Sequence, residues 1–423
     1  MTKRFRTFLF SLLLAIFLVA APLTIFYSFG YRFDLASRKI TKTGTFYFKV
    51  LPRGAQIYIN GKLTKKTDFL LNAAAVENLL PKKYLVQIKK DGFNTWEKNL
   101  EIQETSVTRA ESIVLFPNQS NFVPLLQNIE DFFYSPDEKM LILKETASST
   151  WALKIFEIQN SVKSHLANEK DFSKSGADLQ TLDFTPDSKT VNLGLIINED
   201  LKNYTINLNN LPTTPQKALA EKVPAAVVAY QKVNNEIYYL DNQGFFYKAD
   251  ANFSPKQKMN ETALPLKEEV EHKVRVFQNN YFIQEEANLY LFNPDLKLFE
   301  KFADNIQDVK ISPDLKKLVY FTPWEISVYY MQDKTDQPFK NKGDESFLIR
   351  YSEKIGDVWW LNNNYLIFNV QNKIKIAETD DRDKINVVDL AEFGNPKLFW
   401  SKNYKKLFLL SSNTLYSLGD LLP

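Results

Sequence analysis

The sequence VKISPDLKKLVYF, residues 309–321, contains the pattern that decides the fold of most of the chain. Val309 to Ile311 predict a short strand, and a second apolar strand follows at residues 318–321. Between them stands Ser-Pro-Asp, in which proline presets φ at the second turn position and the Ser and Asp side chains bond the local backbone. The stretch therefore predicts a tight β-hairpin rather than a site of serine chemistry.

This hairpin recurs throughout residues 121–423. Two further copies are plain, at residues 131–143 and 182–195, and four weaker copies keep the same frame. The turns of the seven copies begin at residues 135, 185, 231, 278, 312, 361 and 401. Four short strands with their turns need about 40–45 residues, the size of one β-propeller blade. We therefore predict a seven-bladed β-propeller over residues 121–423, with six or eight blades as the alternatives.

The last repeat is too short to complete a blade, because only 22 residues follow Ser401. We predict that Phe122 to Leu126 supply its outer strand, since an open ring would leave free sheet edges that invite aggregation. The three plain copies resemble the repeats of TolB-type and WD40-like propellers, whose inner hairpin carries Ser-Pro-Asp-Gly-Lys. Glu138, Ser188 and Leu315 stand here where that family has glycine.

A second pattern, with a period of two residues, runs through residues 44–117. Phe46, Phe48 and Val50 fall on one face of a strand, as expected of a half-buried sheet. Asn60-Gly61 follows a short apolar strand and strongly predicts a hairpin, because a type I′ turn needs positive φ at both central residues. Residues 44–117 therefore predict a small antiparallel β domain.

Residues 44–62, with the turn Pro52-Arg53-Gly54-Ala55, resemble the first half of the PEGA domain, and residues 80–93 resemble its second half. That family is named for a Pro-Glu-Gly-Ala turn that precedes a short strand and an Asn-Gly or Asp-Gly hairpin. Arg53 replaces the Glu here, and Lys82-Lys83 replaces the usual Gly after proline. The resemblance implies an interaction role, rather than a catalytic one, at a bacterial or archaeal cell surface.

Residues 7–31 carry no formal charge and are long enough, at about 1.5 Å per residue, to cross a membrane as one helix. Lys3, Arg4 and Arg6 precede this run, so the positive-inside bias places residues 1–6 in the cytoplasm. Residues 32–43 are then a juxtamembrane linker, and all later residues are extracytoplasmic. A cleaved signal peptide is the alternative, although Pro22 directly after Val19-Ala20-Ala21 disfavours cleavage there.

Composition excludes several classes of function. Lys and Arg number 53 against 50 Asp and Glu, and this near balance lacks the basic footprint that nucleic-acid binding requires. The chain contains no cysteine, which excludes disulfides, thiolate nucleophiles and Cys-ligated zinc. No Gly-x-Ser-x-Gly elbow occurs, so the hydrolases that carry this motif are excluded as well.

The titratable clusters do not predict a catalytic, cofactor or metal site. His165 and His272 lie in distant repeats, and each is expected in a loop or at a sheet edge. Two acidic runs, residues 268–271 and 380–383, have oxygen ligands that suit calcium but lack EF-hand spacing. We expect both runs to be solvated surface charge.

Tryptophans are the other candidates for binding. Trp96 and the group of Trp324, Trp359 and Trp360 offer faces on which a sugar or peptide can stack. The competing prediction is structural, with Trp96 as a buried strand anchor and the others packed between blades. Adjacent residues 359 and 360 point to opposite sheet faces, so at most one of them is expected in the core on that ground. No binding residue is assigned.

The sequence thus predicts an all-β ectodomain behind one transmembrane helix. The expected function is that of a non-catalytic, membrane-anchored surface protein whose propeller binds an envelope protein or polysaccharide, without a cofactor. An envelope glycan hydrolase with carboxylate chemistry in the propeller funnel is the alternative. Acidic side chains about 5–10 Å apart at the channel mouth would favour the hydrolase, whereas a funnel of Asn, Tyr and Lys would disfavour it.

Overall fold

The computed structural model describes residues 3–35, 37–147, 150–209, 215–217 and 223–422. Helix α1 spans Lys3–Ser28, and its segment Phe5–Ser28 is long and apolar enough to cross a membrane. The apolar part of this helix is not buried against the rest of the protein. The helix thus begins four residues before the predicted range of 7–31 and ends three residues before the end of that range. Residues 1 and 2 of the predicted cytoplasmic tail lie outside the described residues.

A hairpin stands where the sequence predicted a linker over residues 32–43. Strands β1 (Tyr31–Asp34) and β2 (Lys39–Lys42) pair antiparallel. Arg32 joins this hairpin to the helix, because its Nη1 donates to the Tyr27 carbonyl oxygen at 2.7 Å and its guanidinium lies 3.4 Å from the Tyr27 ring centroid. Arg32 Nη2 also donates to Asn78 Oδ1 at 2.9 Å, which connects the hairpin to the next domain.

The N-terminal domain follows, with seven strands: β3 (Gly44–Leu51), β4 (Gln56–Ile59), β5 (Lys62–Lys66), β6 (Ala73–Leu79), β7 (Lys83–Lys89), β8 (Trp96–Glu101) and β9 (Val107–Val114). One sheet has the order β6-β3-β9 and the other the order β5-β4-β7-β8. The Asn60-Gly61 turn has φ of 49° and 78°, as the sequence predicts. Strand β9 runs parallel to β3, so the domain differs from the predicted purely antiparallel arrangement.

Close backbone contact explains the glycine that begins β3. A Cβ atom at Gly44 would lie 2.5 Å from the carbonyl oxygen of Gln103 and 2.9 Å from that of Ser106. Only glycine fits at this position. Gly44 lets the first residues of β3 lie against the loop between β8 and β9. The inward side chains of the two sheets form one buried cluster, which includes Phe46, Phe48, Ile57, Val86, Ile88 and Leu100.

The described residues of the C-terminal body, as we call residues 123–422, form seven four-stranded antiparallel sheets. Sheet 1 contains β11 (Ile129–Tyr134), β12 (Met140–Ala147), β13 (Thr150–Glu157) and β14 (Val162–Asn168). Sheet 2 contains β15 (Asp178–Phe184), β16 (Thr190–Ile197), β17 (Asp200–Asn207) and β18 (Gln216–Lys217). Sheet 3 contains β19 (Val227–Val233), β20 (Glu236–Asp241), β21 (Phe246–Ala249) and β22 (Pro255–Lys258).

The remaining sheets follow the same plan. Sheet 4 contains β23 (His272–Phe277), β24 (Asn280–Glu285), β25 (Asn288–Asn293) and β26 (Leu298–Ala303). Sheet 5 contains β27 (Asp308–Ile311), β28 (Lys317–Phe321), β29 (Glu325–Tyr330) and β30 (Glu345–Arg350). Sheet 6 contains β31 (Ile355–Asn362), β32 (Tyr365–Val370), β33 (Lys373–Glu378) and β34 (Val387–Glu392).

Sheet 7 is the exception, because it unites the two ends of the C-terminal body. It contains β35 (Lys397–Ser401), β36 (Lys406–Ser411), β37 (Thr414–Leu418) and, at its outer edge, β10 (Val123–Gln127). Strand β10 pairs antiparallel with β37. The predicted donation of an outer strand by residues 122–126 is therefore confirmed, with a shift of one residue.

All seven predicted hairpins are present, each as the first two strands of a sheet. In three of them the first strand runs one or more residues further than predicted, to Val233, Asn362 and Ser401. Buried clusters of apolar side chains join neighbouring sheets, and one of them joins sheet 7 to sheet 1 through Phe399, Phe408, Leu141 and Phe156.

The Ser-Pro-Asp turns are structural, as predicted. In the first of them Ser135 Oγ donates to Asp137 Oδ1 at 2.7 Å, and the backbone N–H of Met140 donates to Ser135 Oγ at 3.1 Å. The residues that replace the family glycine, Glu138, Ser188 and Leu315, all have positive φ, between 58° and 60°. The turn therefore keeps a left-handed conformation even without glycine. This conformation costs free energy, because the Cβ atom lies close to the following carbonyl oxygen.

Replacement of Leu315 by glycine is expected to stabilise the fold by about 0.5–1 kcal/mol, because relief of the left-handed strain exceeds the added backbone entropy of the unfolded chain. Leu315 is exposed, so little packing is lost. The free energy of unfolding, measured by urea titration of the detergent-solubilised chain, tests this expectation. Leu296→Gly is the matched control, because this exposed leucine lacks positive φ, and that change is expected to destabilise the protein.

Candidate functional site

A cavity of about 480 Å³ lies in the C-terminal body where the first strands of five sheets end. Its lining comes from these strands and the turns that follow them: Tyr134, Pro136 and Glu138 in sheet 1; Arg275 and Phe277 in sheet 4; residues 308–313 and Leu315 in sheet 5; Trp359 and Trp360 in sheet 6; Trp400 and Lys402 in sheet 7. Because first strands of non-adjacent sheets meet here, we call it the axial cavity.

The turns around the mouth of the axial cavity are hydrogen-bonded to one another. The backbone N–H of Asp137 donates to Ser188 Oγ at 3.0 Å, which links sheets 1 and 2. Asn403 Nδ2 donates to the Asp137 carbonyl oxygen at 3.1 Å and links sheet 7 to sheet 1. The N–H of Asp314 donates to Asn363 Oδ1 at 3.1 Å, between sheets 5 and 6. These bonds give the mouth a rim whose geometry is fixed by several sheets together.

Aromatic side chains form much of the wall. Trp360 Nε1 donates to the Lys310 carbonyl oxygen in sheet 5 at 2.9 Å, and Trp359 Nε1 donates to the Leu398 carbonyl oxygen in sheet 7 at 3.0 Å. The two neighbours thus point to opposite faces, as predicted, and each faces an adjacent sheet. Trp360 is buried and Trp359 half-buried.

Trp400 differs from these two residues. Its side chain is buried, yet its Nε1 has no hydrogen-bond partner among the residues that the structure describes. Arg275 Nε is also buried and has no hydrogen-bond partner in the described parts of the chain. An unpaired buried donor costs about 1–3 kcal/mol. Two residues that line the axial cavity therefore carry a buried donor without a partner among the described residues.

The charges of the lining are paired with one exception. Arg275 Nη2 lies 3.6 Å from Asp308 Oδ1, and Lys402 Nζ lies 3.7 Å from Glu138 Oε1. The Lys310 ammonium group makes neither a hydrogen bond nor an ion pair with any described residue, and its Nζ lies 3.3 Å from the Trp359 ring centroid. Burial lowers the pKa of Lys310 to about 8, although nearby carboxylates oppose that shift. At neutral pH the lining thus carries one cation outside an ion pair, with the carboxylates of Asp308 and Asp357 nearby.

A second set of polar groups joins the N-terminal domain to the C-terminal body. Lys98 is fully buried, and its Nζ lies 2.8 Å from Glu378 Oε1. The same Nζ donates to the carbonyl oxygens of Asp380, Arg382 and Lys384 at 2.7 to 2.8 Å. Burial raises the pKa of Glu378, and Lys98 counteracts that rise. This arrangement is a structural junction, because both charges are satisfied and closed to solvent.

Two of the predicted binding candidates, Trp96 and the acidic run of residues 380–383, lie at this junction. Trp96 is buried and its Nε1 donates to Glu378 Oε2 at 2.8 Å, so it is a strand anchor rather than a sugar platform. The acidic run of residues 380–383 is not the solvated patch that the sequence predicted. Asp381 pairs with Lys340 at 2.5 Å, and Asp383 accepts a hydrogen bond from the backbone N–H of Asn99 at 2.7 Å. The prediction of solvated surface charge was wrong because Lys340 and Asn99, which pair with the run, are distant in sequence.

The structure does not bring the other predicted candidates together. Each histidine lies in an edge strand of its sheet, as predicted: His165 in β14 of sheet 1 and His272 in β23 of sheet 4. His272 Nε2 lies 3.2 Å from Glu285 Oε1. The acidic run of residues 268–271 is largely exposed in a turn, as predicted. Trp324 is exposed in the turn between β28 and β29, at the end of sheet 5 that faces away from the axial cavity.

Comparison with solved structures finds similarity to YCF48 from Cyanidioschyzon merolae, with a TM-score of 0.43 and 10% identity over 71% of this chain and 98% of that chain. The β-propeller domain of Cps50 (Swd1) from Myceliophteria thermophila also has a TM-score of 0.43, with 8% identity over 72% of this chain and 100% of that chain. No protein-family model and no curated protein matches the chain. Its function has to be inferred from its own geometry.

Proposed function

We propose that this chain is a membrane-anchored, non-catalytic binding protein of the cell envelope. In this proposal seven blades form a closed β-propeller, and the axial cavity receives an envelope partner. The observation that carries the proposal is the lining of the axial cavity, which combines two residues with unused buried donors, Trp400 and Arg275, with a cation outside any ion pair, Lys310. A site that leaves such groups unpaired gains free energy when a ligand satisfies them.

The seven four-stranded sheets and the pairing of β10 with β37 support the closed ring. In a propeller the first strands surround a central channel, and ligands bind where these strands converge. The PEGA-like resemblance of residues 44–117 supports a spacer between the membrane and the propeller. The contacts of Lys98 with sheet 6 support a spacer that is packed against the propeller.

The apolar helix supports the anchor, and Lys3, Arg4 and Arg6 support a cytoplasmic N-terminus. A membrane-impermeant amine reagent applied to intact cells is expected to label the exposed Lys139 and to leave the first six residues unlabelled. Recovery of a mature chain that lacks residues 1–21 would contradict the anchor and favour the cleaved signal peptide.

The lining favours binding over glycan hydrolysis. A glycosidase needs two carboxyl groups that flank the bond, one of them with a raised pKa. The two carboxylates in the cavity, Glu138 and Asp308, each face a cation instead. If the cavity were catalytic, Asp308→Asn would abolish the release of reducing sugar from envelope glycan by the purified chain. We expect no such release from the wild-type chain.

Photocrosslinking from the cavity mouth tests the binding function directly. A photoreactive phenylalanine analogue at Lys402, whose side chain is about half exposed, is expected to capture an envelope component in intact cells. The same analogue at Trp324 is the matched control, because Trp324 is similarly exposed at the opposite end of the sheets. Capture at neither position, or equal capture of the same component at both, would refute a specific role for the axial cavity.

A further inference from the structure

We propose that the axial cavity binds an anionic sugar unit of an envelope polysaccharide, with the acidic group beside Lys310 and the sugar ring against the tryptophan wall. This inference rests on the proposed function and names its ligand. It follows from three independent properties of the lining: charge, hydrogen-bonding capacity and shape.

The charge of the lining selects an anion. Among the lining residues Arg275, Lys310 and Lys402 oppose Glu138 and Asp308, which leaves a net charge of +1; Asp357 lies outside the lining and also acts on Lys310. The two ion pairs within the lining occupy every charged group except Lys310. A carboxylate or phosphate can approach this ammonium without displacing an existing ion pair, and partial removal from water strengthens the attraction.

The hydrogen-bonding groups select a ligand that both accepts and donates. Trp400 Nε1 and Arg275 Nε are buried donors without described partners on residues that line the cavity, so a ligand that reaches them has to supply acceptor oxygens. The carboxylates of Glu138 and Asp308 retain oxygens that can accept hydroxyl protons. A sugar hydroxyl both accepts and donates, whereas the acidic side chain of a protein only accepts when ionised. The lining therefore favours an acidic sugar over an acidic protein segment.

The shape of the site agrees with this choice. A volume of about 480 Å³ falls within the range of pockets for small ligands and is too narrow for a folded protein element. Tyr134, Trp359 and Trp360 supply apolar ring surface next to the polar groups. Rings of this kind suit a ligand with one apolar face and polar edges. A sugar ring that carries one acidic group has both.

Binding of oligosaccharides to the detergent-solubilised full chain tests the proposal. The probes are short oligosaccharides that carry uronate groups, others that carry phosphate groups, their neutral counterparts of equal length, and polyglutamate. Tryptophan fluorescence reports binding, because three tryptophans line the cavity. We expect at least one acidic oligosaccharide to bind about tenfold or more tightly than its neutral counterpart. The uronate and phosphate arms show which acidic group is recognised.

The variant Lys310→Met should weaken that binding by about tenfold or more, and Lys310→Arg should restore much of it. Trp324→Ala, at the opposite end, should leave affinity unchanged. Thermal unfolding of each variant shows whether a loss of affinity reflects a loss of fold. Methionine matches the length of the lysine stem, so we expect the fold to persist.

Affinity should also fall as pH rises from about 7 to 9, because Lys310 loses its proton over that interval. Burial lowers the pKa of Lys310 to about 8, while Asp308 of β27 and Asp357 of β31 raise it and Arg275 of β23 lowers it. Tyr134 of β11 also faces these groups, and burial raises its pKa to about 12, so it keeps its proton throughout. The pH effect should disappear in Lys310→Met.

Three results would overturn the inference: no acidic oligosaccharide binds, Lys310→Met binds as tightly as wild type, or polyglutamate binds as tightly as the best acidic sugar. These failures are distinguishable from failure of the proposed function. If Lys402 crosslinks a protein in cells while no sugar binds, the binding function stands and its ligand is a protein. If neither occurs, both proposals fail.

Discussion

The substitution Lys98→Met is expected to destabilise the protein by about 3–5 kcal/mol, because it leaves a carboxylate buried without its counter-charge. Lys98 is fully buried, and Glu378, its partner, is almost as completely enclosed. The substitution also removes the donor that satisfies three backbone carbonyl oxygens. The free energy of unfolding in urea measures this effect, and a loss below about 1 kcal/mol would show that the junction contributes little.

Two comparisons isolate the cause. Lys384→Met removes an exposed cation of the same junction, which pairs with Glu97 at 2.8 Å, and should cost about 0–1 kcal/mol. The double variant Lys98→Met with Glu378→Gln should lose less stability than the sum of the single losses, because no buried charge then remains.

The pH dependence of Lys98→Met has a defined sign. Burial already raises the pKa of Glu378, and removal of Lys98 raises it further. A carboxyl group whose pKa is higher in the folded state than in the unfolded state favours folding below the unfolded pKa and loses that contribution as pH rises through the folded pKa. The stability deficit of Lys98→Met relative to wild type should therefore shrink as pH falls from about 7 to 5.

Replacement of residues 123–127 by a Gly-Ser segment of equal length should destabilise the C-terminal body by about 3 kcal/mol or more, since it removes a strand's hydrogen bonds and apolar contacts together. Strand β10 is the only described strand from the N-terminal side of the body that pairs within sheet 7. Its Leu125 and Leu126 also pack against the cluster that joins sheets 1 and 7. Exposure of β37 as a free edge should promote association, which sedimentation detects.

The same replacement of β22 (Pro255–Lys258) is the matched control. It too is the outer strand of a four-stranded sheet, and all four of its residues are exposed. Its partner strand is adjacent in sequence, so its loss does not separate distant parts of the chain. Equal losses of stability in the two variants would show that β10 has no special role in closure.

Much of the fold could be predicted because it depends on local patterns. Every hairpin that begins a sheet was predicted from alternation and turn chemistry over about a dozen residues. The predicted hairpins also identify several residues of the cavity wall. Tyr134, Phe277, Ile311, Trp360 and Trp400 each precede a predicted turn, and all five line the cavity.

The parts that escaped prediction depend on contacts between distant residues. Lys98 and the run at residues 380–383 are more than 280 positions apart, and neither sequence carries a signal of the other. Lys310 carries no signal of its own in the sequence, because its contact with Trp359 depends on the approach of sheet 6 to sheet 5. The hairpin at β1 and β2 was missed because four-residue strands are too short for periodicity to be read.

The pairing of β10 with β37 also imposes an order on biogenesis. These partners are separated by almost the whole length of the C-terminal body, so their contact is among the last that a chain emerging from a ribosome or an export channel can form. Until residue 418 has emerged, sheet 7 exposes the edges that the finished molecule covers. An unpaired strand edge of this kind makes the incomplete chain prone to aggregation.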